Sequence, residues 1–101
     1  MTDLDFKDLE LLNANLDRLL HSIEVAHVMA TTKTQRMTDY KHQYPYMDDA
    51  KIDYLFFSEL EEQKKAIRAD YDSMLMRARS CRITFPYSIG EILDYIENSI
   101  K

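Results

Sequence analysis

Between Thr31 and Tyr46 the chain gathers Lys33, Arg36, Lys41 and His42 among four threonines and the aromatic rings of Tyr40, Tyr44 and Tyr46. Cations and hydroxyls suit phosphate oxygens, and tyrosine rings can stack on bases. Lys33, Arg36, Lys41, His42 and Tyr46 therefore form a candidate site for a phosphate-bearing ligand, a nucleotide or a nucleic acid. A structural role competes with that reading. Lys33 falls on a hydrophobic seam, where a single polar residue commonly fixes register. Tyr40 and Tyr44 fall on the same seam and read as core.

Two other spacings bear on chemistry. Glu24-Val25-Ala26-His27 is a Glu-x-x-His pair with His21 one turn earlier. It is similar to the pairs that ferritin-like di-iron bundles carry on two of their helices. Seam positions Ile23 and Ala26 turn Glu24 outward and place His27 on the flank, so a solvated face is the expectation and no metal is assigned. Arg36 and His42 form an Arg-x5-His spacing that resembles the Arg-x4–6-His pattern of HEPN ribonucleases, all-helical enzymes that act as dimers. In that family the pair opens a late helix, whereas here it closes the first. There is no glycine-rich phosphate loop and no paired-carboxylate site. The expectation is no enzyme and no cofactor, with a metal-binding or HEPN-like ribonuclease activity third in order.

The elements that must carry these residues are helical. Leu9, Leu12, Leu16, Leu19, Ile23, Ala26, Ala30, Lys33, Met37, Tyr40 and Tyr44 recur at alternating spacings of three and four, with only Lys33 polar. That period is the seam of a long helix packed lengthwise on another. At 1.5 Å per residue such a helix is a rod of about 54 Å. The first helix is expected over about 3–43, with Asp3, Asp5 and Asp8 at its opening. Its weak point is Thr31-Thr32-Lys33-Thr34, where β-branched residues favour a kink. Tyr44-Pro45-Tyr46 breaks the helix. Asp48 or Asp49 then caps a second helix over about 49–80, with Ile52, Phe56, Leu60, Ile67, Tyr71, Met74 and Ala78 inward. Its period slips near Ile67, where strict heptads would put Asp70 inside.

Arg82–Pro86 reads as extended, and a third helix follows over about 89–100. Ser88 and Glu91 make a capping box, and Tyr87 and Ile92 stand where a hydrophobic staple belongs. The expected fold is all-α: a long antiparallel, coiled-coil-like hairpin plus a short C-terminal helix, in one domain over residues 1–101. With facing residue numbers adding to roughly 93, Arg77, Arg79 and Arg82 would stand beside Asp17, Glu10 and Asp8, and Lys33 and Arg36 near Glu59, Glu61 and Glu62.

Composition agrees. There is one glycine among 101 residues and a hydrophobic fraction of 46%, which gives few turns and a real core. The single cysteine, Cys81, rules out an internal disulfide. No apolar run reaches the roughly 18 residues of a membrane span, and the acidic opening segment does not read as a secretory signal. The expected location is the cytoplasm, a host's if the chain is viral. A net charge of −5 argues against nucleic acid as a partner.

A two-helix rod buries one stripe per helix. Leu11, Val25, Val28 and Met29 of the first helix and Tyr54, Phe57 and Met76 of the second are left over. Apolar surplus of that kind marks contact sites. The expected partner is a second copy, as a homodimer or higher oligomer, together with another protein. Short, acidic, glycine-poor helical proteins include phage-encoded inhibitors, secretion chaperones and antitoxins, so an assembly or regulatory role is expected by analogy of class.

Overall fold

The computed structural model describes residues 6–100. Its elements are α1 (Phe6–Thr31), α2 (Lys33–Gln43), α3 (Asp49–Ser80) and α4 (Ile89–Asn98), with no strand among the described residues. The opening expected at Asp3 and Asp5 lies outside those residues.

The long first helix is realised as α1 and α2, interrupted at Thr32 (φ −110°, ψ 24°). Its cause is local. The Thr31 hydroxyl donates to the carbonyls of His27 and Val28 at 3.0 and 3.2 Å, and the Thr32 hydroxyl donates to Val28 at 2.6 Å. Hydroxyls that bond back onto the preceding turn compete with the helix ladder and bend it. The ladder nonetheless passes through, because Thr32 N–H reaches Val28 O and Arg36 N–H reaches Thr32 O, both at 3.0 Å. The interruption is a kink, not a fold-back.

Tyr44 N–H bonds to Tyr40 O and closes α2. Pro45 prevents continuation. The Asp48 carboxylate then accepts from Lys51 N–H at 2.9 Å and opens α3. The chain returns antiparallel to itself. Asp8 faces Arg77, Ser22 faces Asp70, Lys33 faces Asp53 and Lys41 faces Asp49, so numbers rise on one limb as they fall on the other. The rod measures 66 × 21 × 15 Å.

An apolar seam holds the hairpin. Leu12, Leu19, Ala26, Met29 and Ala30 of α1 are buried with Phe56, Leu60, Ile67, Met74 and Ala78 of α3. Each fully buried large side chain among them contributes about 1.5–3 kcal/mol, against about 0–1 for an exposed ion pair. The expected zip of charges forms only in part. Arg77 meets Asp8 at 3.4 Å, but Arg79 and Arg82 are exposed and make no ion pair among the described residues. Lys33 pairs with Asp53 at 3.7 Å, whereas Glu61 and Glu62 serve Lys64 and Lys65 one turn along α3.

The end of α3 is a Schellman cap. Ile83 N–H bonds to Ala78 O at 2.9 Å and Arg82 N–H to Arg79 O at 3.0 Å, with Arg82 at φ 58°. That turn reverses the chain toward α4. The capping box is formed: Glu91 N–H donates to Ser88 Oγ at 3.1 Å, and Ser88 N–H donates to the Glu91 carboxylate. Helix α4 lays Ile92 and Ile96 on one side of the hairpin. It is fixed there by His27 stacked on Tyr95, by Lys64 paired with Glu97 and, just before it, by the Tyr71 hydroxyl on Tyr87 O at 2.8 Å.

Candidate functional site

Helix α4 covers only one side of the hairpin, and the opposite side is the candidate site. On α1 the positions turned away from α4 are Leu11, Ala14, Arg18, His21, Val25 and Val28, spaced alternately three and four apart. On α3 they are Glu59, Glu62, Ala66, Ala69, Ser73, Met76 and Ser80, with the same spacing. Such a row keeps one helical face in line along the rod. Where the two rows meet near the open end, they form a groove of about 490 Å³ lined by Leu11, Ala14, Arg18, Ser73, Met76 and Ser80, among others. Leu11, Val28 and Met76 are 39%, 52% and 70% exposed, more than a monomer's interior helices would leave. The face is a second seam without a second helix.

A partly buried polar layer lies behind this face. The Ser22 hydroxyl is buried and donates to the Asp70 carboxylate at 2.5 Å, and Gln63 Nε2 donates to Ser22 O at 2.9 Å. A slip of register would leave the buried Ser22 hydroxyl unpaired, at about 1–3 kcal/mol, while the half-buried Asp70 and Gln63 could hydrate. The polar pair across the seam is Ser22 and Asp70. Lys33 is a flank residue: its Nζ lies 4.8 Å from the centre of the Phe57 ring and pairs with Asp53. Among the described residues the buried lysine is Lys64, held by Glu61 and Glu97.

The seven residues expected at an interface do not share one face. Leu11, Val25, Val28 and Met76 belong to the uncovered side. Met29 is 6% exposed and sits in the chain's own core, because α1 turns it toward α3 beside Ala30. Phe57 packs on the core under Lys33. Tyr54 is exposed, next to a separate shallow groove with Ser58, Glu61 and Glu62.

Nor does the Thr31–Tyr46 segment converge. Lys33 is held by Asp53, Lys41 by Asp49 at 3.0 Å, and Arg36 Nε donates to the Thr32 hydroxyl at 3.3 Å. The groove at the hairpin tip is lined by Gln43, Tyr44, Pro45, Tyr46, Met47 and Lys51, and of the candidate site residues it takes only Tyr46. His42 is exposed at the end of α2. Tyr40 donates its hydroxyl to Glu59, and its pKa is pushed up from 10.0 to about 12, first by burial and then by that carboxylate. Its role is to tie α2 to α3.

Glu24 points into solvent and His27 is taken by the Tyr95 ring. Among the described residues no group of three His, Cys, Asp or Glu side chains is placed to hold a metal ion. The buried side-chain polar atoms all have partners there, so none is left aimed at a ligand. No helix among them is long and apolar enough to cross a membrane.

Comparison with family models, curated proteins and solved structures finds no match to this chain. The functional reading therefore rests on geometry.

Sequence reasoning found Leu11, Ala14, Val25 and Val28 as a second line on the first helix. It missed the matching line on α3, because Ala66 and Ala69 are small, Ser73 and Ser80 are polar, and the four make no conspicuous hydrophobic stripe. Their spacing, read without regard to hydrophobicity, was the available signal.

Proposed function

We propose that the chain is a helical protein-interaction module that self-associates through the uncovered side of its hairpin and acts as an assembly or regulatory factor. One observation carries this reading. Two in-line rows, one on α1 and one on α3, in which apolar and small side chains alternate with Arg18, His21, Glu59 and Glu62, run along the side opposite α4, and no helix among the described residues packs across them. A hairpin whose two sides both offer a seam is half of a larger bundle, and stacking a second hairpin completes four-helix packing. Small residues on the α3 row let another helix approach closely, and Leu11, Val25 and Met76 gain burial when it does. An inhibitor-like or chaperone-like role fits a surface of this kind, since it works by covering a partner.

The test is a substitution that leaves the monomer intact. Ala69 is exposed on α3 and arginine is a good helix former, so Ala69→Arg should fold. It places a bulky cation in the middle of the row. Light scattering after gel filtration should show an assembled unmodified chain and an Ala69→Arg chain at 12.0 kDa. Asp94→Arg, on α4 at the other side of the rod, should leave assembly unchanged. An Ala69→Arg chain as assembled as its parent would refute the assignment of this face.

A further inference from the structure

The side of the hairpin that α4 covers carries a cleft of its own. Ile23 of α1 meets Tyr87, Glu91, Ile92 and Tyr95 around a space of about 370 Å³. That volume is within the range of small-molecule sites. The opening of α4 builds the cleft. Tyr87 and Ile92 hold the staple positions on either side of the Ser88 cap, and Glu91 and Tyr95 stand one turn apart on the same face.

The lining is chemically one-sided. Tyr87 and Tyr95 each leave about half of their surface to solvent, and the two isoleucines supply apolar wall. The one charge is negative. Glu91 is exposed and makes no ion pair among the described residues. Its Oε1 accepts from Ser88 N–H at 3.4 Å and from the Ser88 hydroxyl at 3.2 Å, which fixes the carboxylate and leaves Oε2 over. The rings are fixed as well. His27 stacks on Tyr95 with centroids 5.2 Å apart and 9° between the planes, so one face of that ring is taken and the other is left. Phe85 meets the Tyr87 ring edge to face at 5.9 Å, and the Tyr87 carbonyl accepts from the Tyr71 hydroxyl.

Aromatic faces attract cations through the ring quadrupole, and a carboxylate at the rim adds charge attraction. An anion would be repelled by Glu91. A bare ammonium is strongly hydrated and gains little from apolar walls. An alkylated ammonium carries its charge under methyl groups, which bury against Ile23 and Ile92. We propose that the cleft between α1 and the start of α4 binds a quaternary ammonium group, its methyl groups against Tyr87, Tyr95, Ile23 and Ile92 and its charge toward Glu91. The site lies on the α4 side of the rod, so it does not rest on self-association through the opposite side.

Titration of the full chain with choline, followed by proton NMR at constant ionic strength, tests the site. The choline methyl resonance should move upfield under the tyrosine ring currents, and the Tyr87 and Tyr95 ring resonances should shift in step. Glu91→Gln removes the charge and keeps an acceptor for the Ser88 cap, while Tyr95→Leu removes the ring and keeps an apolar side chain. Each should weaken binding about tenfold, whereas Tyr95→Phe should bind as the parent does. Melts by circular dichroism check that each variant is folded. The neutral analogue of choline, with carbon in place of the charged nitrogen, should bind about tenfold more weakly. A short peptide carrying trimethyllysine should bind more tightly than the same peptide carrying lysine. Its affinity relative to choline assigns the group to a protein side chain or to a free small molecule. Resonances that stay in place at every choline concentration would overturn the proposal. So would equal affinity for choline and its neutral analogue, or folded Glu91→Gln and Tyr95→Leu chains that bind choline as tightly as the parent.

Discussion

Lys64 separates what the α3–α4 contact gains from charge and what it gains from packing. Its side chain is 7% exposed, and its ammonium is held by Glu61 at 3.1 Å and by Glu97 of α4. Glu97 is 48% exposed and Glu61 57%. Removing one partner of a fully buried pair costs about 3–5 kcal/mol, because the other charge is left in a poor medium. Here the carboxylates are half in water, and Glu61 stays when Glu97 is removed. Glu97→Ala should therefore cost about 1–2 kcal/mol, a fall in melting temperature of roughly 5–10 °C for a chain of this size. Lys64→Met keeps the buried stem and removes the cation. Glu97 can then hydrate, so the change should stay within about 1 kcal/mol of zero. Thermal and urea melts followed by circular dichroism give both values. All chains must be compared at one concentration, because assembly raises apparent stability. If Lys64→Met loses more than Glu97→Ala, the ion pair is a source of stability in its own right and the reasoning fails.

Three smaller predictions follow from backbone and titration geometry. Arg82 holds a left-handed conformation that costs a non-glycine residue about 1–2 kcal/mol, so Arg82→Gly should raise stability by about 0.5–1 kcal/mol once the flexibility of glycine is deducted; a urea midpoint that falls would contradict the cap. Ser88→Ala removes the acceptor for Glu91 N–H and should cost about 1 kcal/mol, read as a lower melting temperature. Tyr40 binds its proton more tightly folded than unfolded, so its contribution is complete below pH 10 and is lost as pH rises from 10.0 toward about 12; Tyr40→Phe should remove a phenol that ionises near pH 12 from a tyrosinate absorbance titration of the folded chain.

Much of the architecture was legible in the sequence because helix periodicity and its breakers are local properties. The Leu9–Tyr44 row, Pro45, Asp48 and the Ser88–Glu91 box set elements whose ends the structure places within a few residues. The kink at Thr32 was legible for the same reason, as threonine hydroxyls act on their own helix. Pairwise contacts across the hairpin were not. Lys33 continues the row in sequence, but beyond the bend at Thr32 it lies on the flank over Phe57. Lys64 is invisible to a hydrophobic pattern because it is charged. Yet the inward row of α3 leaves six residues between Leu60 and Ile67, and a seam needs an inward residue there. The slip near Ile67 was the visible trace of Asp70, whose partner Ser22 sits at a seam position between Leu19 and Ala26. The candidate phosphate site failed for a physical reason: cations close in sequence were met by Asp53, Asp49 and Thr32 on their own or the facing helix, and did not point to one cavity.

Sedimentation equilibrium of the unmodified chain over a wide dilution series tests the central claim most directly. Two seams on one hairpin predict a mass of about twice 12.0 kDa or more at micromolar concentration, falling toward 12.0 kDa only on dilution. A single species of 12.0 kDa at every concentration would contradict it.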